Sequence, residues 1–398
     1  MALSKIDVAN MLTGATPVAN GGTALTSGFV NGKDPRPDAK PLIINGDMQV
    51  AQRGTSATGK TSGGFYTCDR MNVNIDSAGT HTITQESLSS GEAYNNGFRK
   101  AWRIDTTTAD ASLAAEDNFS FQYFFEGQDL QLFKKGTSNA EKFTLAFWVK
   151  SNKTGTGNVN LFDTDNTRLI GGTYTISSAD TWEHKVVNFA ADTTGAFTND
   201  RAKSLVIEWW LDSGTNFSSG TTDTTWGAKD DTDRNASGTL NIADNTANDW
   251  AITGIQLEVG EFTSTTLPPF QFESFGDNLA RCSRYYQELA NGAKDGNSYF
   301  CTGSFYTGNE LWGLVPLRVE MRTEPSIDVI SGSDYFYIFM NNANDNMTGS
   351  STSINSSSSN KVVILSNNSE TSGSGLTGHI VRWYASSSGG KIFANAEL

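Results

Sequence analysis

The sequence predicts an all-β protein: a jelly-roll β-sandwich, a short coupling helix and a second, smaller β-sandwich, preceded by an extended N-terminal arm. Three observations carry this. Short runs alternate apolar and polar side chains with period two, the pattern of a half-buried strand. The runs recur about every 8 to 20 residues between Gly, Ser, Thr and Asn turns, as in antiparallel sandwiches. One segment, FESFGDNLARCSRYYQEL, departs from the pattern, because Leu279, Cys282, Tyr286 and Leu289 fall at helical spacing behind Asp277 as the expected cap.

Taken in order, residues 1–41 contain PVANGGTALTSG and KDPRPDAKP, with apolar side chains too sparse for a private core. This arm is expected to be flexible or ordered by a partner. From Leu42 strands are read at LIINGDMQVAQR, FYTCDRMNVNI, HTITQES, KAWRIDTT, FSFQYFFEG, FTLAFWVKS, VNLFDT, RLIGGTYTIS, WEHKVVNFA, SLVIEWWLDS and DWAITGIQLEVG, which set the jelly roll at 42–272. Two of these can be phased. Phe143, Leu145, Phe147 and Val149 share one face and Thr144, Ala146, Trp148 and Lys150 the other; Leu205, Ile207, Trp209 and Leu211 likewise oppose Val206, Glu208, Trp210 and Asp212. The helix is assigned to 273–291. Strands resume at SYFCTGSFY, LWGLVPLRVEM, SIDVIS, YFYIFMN, KVVILSN and HIVRWYAS, interrupted by a Ser-rich tract over 347–360, and place the smaller sandwich at 292–398. No period of 20 to 50 residues repeats, which counts against a β-helix or propeller.

Composition narrows the function. A chain of 398 residues accommodates two domains. Charged residues make up 18%, below the roughly 25% of an ordinary soluble domain, so hydroxyls and amides carry much of the hydration. The net charge is -14 and the 29 Lys and Arg are scattered, which argues against nucleic acid as a partner. There is no 18-residue apolar run for membrane insertion and no signal-peptide core in the first thirty residues, so synthesis in a cytoplasm is expected. Cys68, Cys282 and Cys301 are an odd number without a CxxC pair and read as reduced thiols.

Each candidate chemistry in the chain has a plainer structural reading beside it. GTSATGKT over 54–61 matches the phosphate-loop pattern, but SGGFYTCDR follows where a helix is required, so it reads as an exposed hairpin loop. His81, His184 and His379 have no nucleophile signature beside them and read as surface histidines, and no catalytic residue is assigned. Asp163 to Asn166 and Asp230, Asp231 and Asp233 offer oxygens to calcium, but the first cluster lacks an EF-hand loop's Gly and terminal Glu, so solvated turns are the plainer reading. Glu208 and Asp212 on one strand stand on the order of 13 Å apart, too far for a hydrolytic pair. Sugar binding is the more attractive chemistry, since rings stack on pyranose faces while amides and carboxylates take the hydroxyls. Trp148, Lys150, Glu208 and Trp210 form the best such set; against it stands burial of both tryptophans under a loop or a neighbouring subunit. The distal Trp312, Tyr335, Tyr337, Trp383 and Tyr384 carry the same two readings. No cofactor is implied.

Three stretches resemble bacteriophage appendage proteins. PVANGGT, with Pro17, Val18, Asn20, Gly21, Gly22 and Thr23, resembles the Gly-Gly-Thr segment near the N-terminal ends of phage fibres. INGDMQVAQRGTS, YTCDRMNV, FTLAFWVKS, ITGIQLEVG and FESFGDNLARCSRYYQEL are similar in order and spacing to a carbohydrate-binding-module-like jelly roll of phage virion proteins, with Met71 where such domains often carry Trp. VPLRVEMRTEPSIDV through FANAEL looks like the distal domain that follows it there. The resemblance implies a non-enzymatic homotrimeric tail fibre on the virion. Its arm would dock on other virion proteins, and its β-domains would meet host-surface glycan or protein. A capsid-mounted head fibre or decoration protein and a polysaccharide-degrading tailspike are the alternatives. The helix would then act either as a rigid coupler between β-domains or as a collar about a three-fold axis.

Overall fold

The structure, a computed structural model, describes residues 40–295, 298–307, 310–332, 335–340, 343–346, 352–354, 358–367, 378, 380–386 and 389–398. The expected anchor residues Pro17, Val18, Asn20, Gly21, Gly22 and Thr23, the rest of the arm before Lys40, and His379 lie outside them.

The chain is all-β in two modules. The first contains β1 Ser56–Phe65, β2 Asn72–Ser87, β3 Lys100–Thr108, β4 Asn118–Glu126, β5 Phe143–Ser151, β6 Gly155–Asp163, β7 Arg168–Ile176, β8 Glu183–Phe189, β9 Lys203–Ser213, β10 Gly227–Ala228 and β11 Asp249–Val259. All pair antiparallel in one path, β10-β7-β6-β9-β4-β2-β3-β11-β5-β8, with β1 added to β2. The path turns back on itself at β2. Residues 72–76 of this long strand pair with β4, whereas residues 80–87 pair with β3. Between these halves Ser77 and Gly79 take φ of 53° and 84°, and a Cβ on Gly79 would lie 2.5 Å from the Thr108 carbonyl oxygen. A glycine therefore makes the corner, and two layers face each other.

The faces in contact are those phased from the sequence. Phe147 of β5 meets Trp209 of β9 and Tyr174 of β7 across the core, with ring centroids 5.7 and 5.1 Å apart. Phe143, Leu145, Val149, Leu205, Ile207 and Leu211 join the same cluster, which explains why alternation with large inward side chains specifies a sandwich here.

In the first module the backbone departs from expectation at two places. Residues 42–53 form turns instead of a strand: Asn45 and Met48 take φ of 61° and 60°, and the Asn45 amide replaces a strand ladder by bonding Val50 N and O and Asp69 O. GTSATGKT is largely strand, running into β1 on the margin of β2, and strand also follows it, so the phosphate-loop geometry does not form.

The distal module comprises β12 Tyr286–Asn291, β13 Ser298–Phe305, β14 Leu311–Pro316, β15 Ser326–Ile330, β16 Phe336–Met340, β17 Ala343–Asn346, β18 Thr352–Ile354, β19 Val362–Asn367, β20 Ile380–Ala385 and β21 Lys391–Asn395. A three-stranded sheet, β12-β21-β15, packs against a seven-stranded one, β17-β16-β20-β13-β14-β19-β18, and one core cluster joins Ala290 and Ile392 to Phe305, Ile338, Leu365 and Trp383.

The helix is shorter than expected, Phe275–Ser283. Its cap is Ser274, whose Oγ accepts from Asp277 N at 3.2 Å; Asp277 returns the favour through its carboxylate, which accepts from Ser274 Oγ at 3.0 Å. Tyr286 and Leu289 belong to β12, because Tyr286 pairs with Asn395 of β21 and continues the sheet. The helix stripe is occupied within its own chain: Cys282 and Tyr285 pack with Ile44, Val50 and Leu398. These contacts lie within one chain, as the coupler reading expects. Charged groups bury around it. Glu126 at the end of β4 accepts from Arg284 Nε and Nη2 at 2.8 and 2.7 Å and from Tyr285 Oη at 2.5 Å. Arg70 lies 3.5 Å over the Tyr285 ring and pairs with Glu397, which Arg53 also reaches at 3.3 Å. The first module is thus completed by side chains from beyond residue 283. All three cysteines are free, and burial pushes the Cys68 and Cys282 thiols up.

Candidate functional site

The four residues expected to form one sugar-binding set are divided between opposite surfaces. Since Phe147 and Trp209 meet inside the core, their neighbours Trp148 and Trp210 point out of opposite layers. This is a consequence of the corner at β2, which turned one continuous sheet into two facing halves.

On the β9 side the plainer reading holds. Trp210 is only 1% exposed, closed between Arg234, 4.9 Å from its ring, and Phe217, 5.3 Å away, both from the segment that follows β9. Glu208 accepts from Arg234 Nη2 and Nε at 2.6 and 3.1 Å and from Gln122 Nε2 at 3.2 Å. Its carboxylate is engaged beneath that cover, so Glu208 and Trp210 are withdrawn as ligand groups.

On the β5 side Trp148 and Lys150 share the outward face. Lys150 Nζ sits 5.4 Å over the Trp182 ring and 3.7 Å from Glu86 Oε1. Trp148 is different, because it lines an open groove of about 320 Å³. Register places it between Thr253 of β11 and His184 of β8, with the imidazole 5.0 Å from the indole. The opposite wall is a trio of phenylalanines: Phe98 lies 4.9 Å from Phe270 and 5.1 Å from Phe272, and Phe270 and Phe272 are 4.9 Å apart. Phe272 is 50% exposed. Asn96, Gln256 and Ser264 supply polar edges, and Gln256 Nε2 donates to the Pro268 carbonyl at 3.2 Å, tying down the wall over 264–270.

The groove depends on one glycine. β11 bulges between Thr253 and Gln256, where Gly254 takes φ of 62°. A Cβ there would lie 2.6 Å from the Phe98 ring and 2.9 Å from Trp148 Cδ1. Only glycine combines that backbone with so close an approach of two rings. Burial holds His184 below the usual imidazole range, with Lys185 adding to the shift, so at neutral pH the ring offers one donor and one acceptor.

The site residues missed from sequence are Phe98, His184, Phe270 and Phe272. PPFQF was the available signal: two prolines and two phenylalanines without strand alternation just ahead of the helix. The other candidates find structural work. His81 is buried, contrary to the surface reading, stacked 4.4 Å from Phe119 and bonded through Nε2 to the Ala78 carbonyl at 2.8 Å. Asp163 is buried against Lys135 and accepts from Asp165 N and Asn166 N at 2.9 and 3.0 Å. Asp231 pairs with Lys229 and Arg234 at 2.7 and 2.8 Å, and Asp233 accepts from Thr221 N at 2.7 Å. Among the described residues no group of His, Cys, Asp or Glu is gathered for a metal ion.

No protein-family model matches the sequence. No curated protein matches it either. Solved structures similar to the chain include the enzymatically active domain of tailspike protein 4 of bacteriophage CBA120, at 10% identity over 55% of this chain and 21% of that one, with a TM-score of 0.26. They also include the family 11 carbohydrate-binding module of the cellulosomal cellulase Lic26A-Cel5E of Clostridium thermocellum, at 9% identity over 57% and 99% of the two chains and a TM-score of 0.24. TmCBM61, solved in complex with β-1,4-galactotriose, aligns at 8% identity over 56% and 99%, with a TM-score of 0.26. The chain spans about a fifth of the length of the tailspike domain.

Proposed function

We propose that this chain is a glycan-contacting virion appendage protein, a homotrimeric tail fibre without enzymatic activity. Its arm over 1–41 joins other phage virion proteins, and its sandwich meets host-surface glycan in the Trp148 groove. One observation carries the glycan reading: a half-buried indole, a neutral imidazole and an exposed phenylalanine face one open groove with amide and hydroxyl edges. Rings of this kind cover the C–H faces of a pyranose while the edges take its hydroxyls, and such a lining binds sugar without activating a bond. The appendage reading is supported by the three sequence resemblances and by the arm's poverty in apolar side chains. Several copies on one fibre add avidity, so weak single-groove binding suffices.

The test is calorimetric titration of the full chain with oligosaccharides cut from host-surface polysaccharide, beside two variants. Trp148→Ala is expected to weaken binding at least about tenfold, the loss of one good stacking contact of roughly 1.4 kcal/mol or more, with the fold retained. Trp210→Ala, from the covered face, should lower the melting temperature and leave binding alone. Equal binding by Trp148→Ala and wild type would remove the groove from the account.

A further inference from the structure

The outward face of the seven-stranded distal sheet is built as a contact surface. Phe305, Leu311, Ile338, Leu365 and Trp383 enter the core, so alternation turns the intervening side chains outward. In register, Tyr337, Tyr384 and Tyr299 stand side by side on β16, β20 and β13, with ring centroids 5.3 and 5.1 Å apart. The next row sets Arg382 opposite Thr302 and Thr302 opposite Leu314; the row beyond sets Ile380 opposite Ser304. Ile380 is 75% exposed, Leu314 56% and Tyr299 52%, while Tyr384 between its two ring neighbours is buried. Arg382 is the only charged side chain in these rows; it is exposed, with its guanidinium 5.9 Å from the Tyr299 ring centroid and no ion pair to a carboxylate among the described residues.

This composition decides the class of partner. A sugar stacks on free ring faces, but Tyr337 and Tyr384 already lie against each other at an interplanar angle of 12°, and the most exposed side chain is aliphatic. Aliphatic surface gains from a protein partner, at about 25 cal/mol per Å² removed from water. An ordinary protein surface, about one quarter charged, would bring ions whose desolvation such a face cannot repay. A second copy of this chain brings the same charge-poor rows. Once covered, Arg382 would need a carboxylate, and a copy carries one on the rim of the same face in Glu310, which accepts from Trp312 Nε1 at the start of β14.

We propose that copies of this chain meet through this face, Arg382 of one copy against Glu310 of another. The inference rests on the oligomeric reading above and adds the surface that serves it. Four strands about 4.8 Å apart and three rows about 6.8 Å apart give a footprint on the order of 400 Å². That is below the roughly 800 Å² each partner contributes to a standard interface, so assembly is concentration-dependent.

Sedimentation velocity of the full chain over about 1 to 100 μM tests it. Wild type is expected to sediment above the mass of one 42.9 kDa chain, and the double variant Leu314→Asp, Ile380→Asp as one chain with an unchanged near-ultraviolet dichroism spectrum. Arg382→Glu should also dissociate the assembly, and Glu310→Arg added to it should restore association; this charge exchange decides the matter if the double variant fails to fold. Folded variants that assemble like wild type overturn the face while leaving self-association standing. Wild type that remains a single chain at the highest concentration overturns self-association itself. Sugar titration of the dissociated variant reads the Trp148 groove independently.

Discussion

Glu126→Gln tests whether the two β-modules unfold as one unit. The Glu126 side chain is fully buried and accepts four hydrogen bonds, two from Arg284, one from Tyr285 and one from Gln128 Nε2. Glutamine keeps the volume, loses the charge and turns an amide N–H₂ toward the guanidinium. Breaking a buried, hydrogen-bonded ion pair from one side costs about 3–5 kcal/mol. Unfolding entropy is about 2.1 cal/mol/K per residue, so a loss of about 4 kcal/mol lowers the melting temperature by about 5 °C if the entire chain unfolds together. If the first module melts alone, the smaller entropy makes the same loss about 9 °C. Differential scanning calorimetry separates these outcomes. A single wild-type transition, displaced by about 5 °C in the variant, is expected because Arg70, Glu126 and Arg53 all take partners from beyond residue 283. Two well-separated wild-type transitions, or a shift under about 1 °C, would refute the coupling argument.

Gly254→Ala should destabilise by about 2–3 kcal/mol through left-handed backbone strain and collision with two rings, and should weaken oligosaccharide binding by displacing Trp148; urea unfolding and titration on the same sample check both effects. Asp212→Asn concerns pH. Burial pushes the Asp212 carboxyl up to about 6 from an ordinary 3.8, although Ser213 N and Ala243 N donate to it. The fold therefore holds a proton that the unfolded chain releases, so this group's stabilisation is present below pH 3.8 and is lost as pH rises through 6. The asparagine variant should gain on wild type in urea midpoint between pH 4 and pH 7.5, and an equal difference at both pH values would contradict the assignment.

Much of the fold was legible because burial selects side chains at period two. FTLAFWVKS is β5 in full, its inward residues are those phased from the pattern, and the same holds for SLVIEWWLDS in β9. Legibility failed where a side chain substitutes for the ladder or where tertiary pairing overrides spacing. Asn45 turned an apparent strand over 42–53 into a set of hydrogen-bonded turns, and Tyr286 left the helical stripe because β21 offered it strand partners. Of the four residues expected to form the sugar-binding set, Trp148 alone lines the groove. Trp148 was found; its companions His184, Phe98, Phe270 and Phe272 come from three other segments and carry no mutual spacing in the chain.

For β5 and β9 the sequence by itself determined both the strand and the side that enters a core, since alternation and strand geometry share one period. Tertiary structure alone decided the fate of Trp148 and Trp210, which occupy equivalent places in two equally alternating strands. One corner at Ser77 and Gly79 sends them to opposite surfaces, and the segment carrying Phe217 and Arg234 closes over only one of them. A local pattern records which way a side chain points from its own strand; what waits there depends on the path of residues far away in the chain.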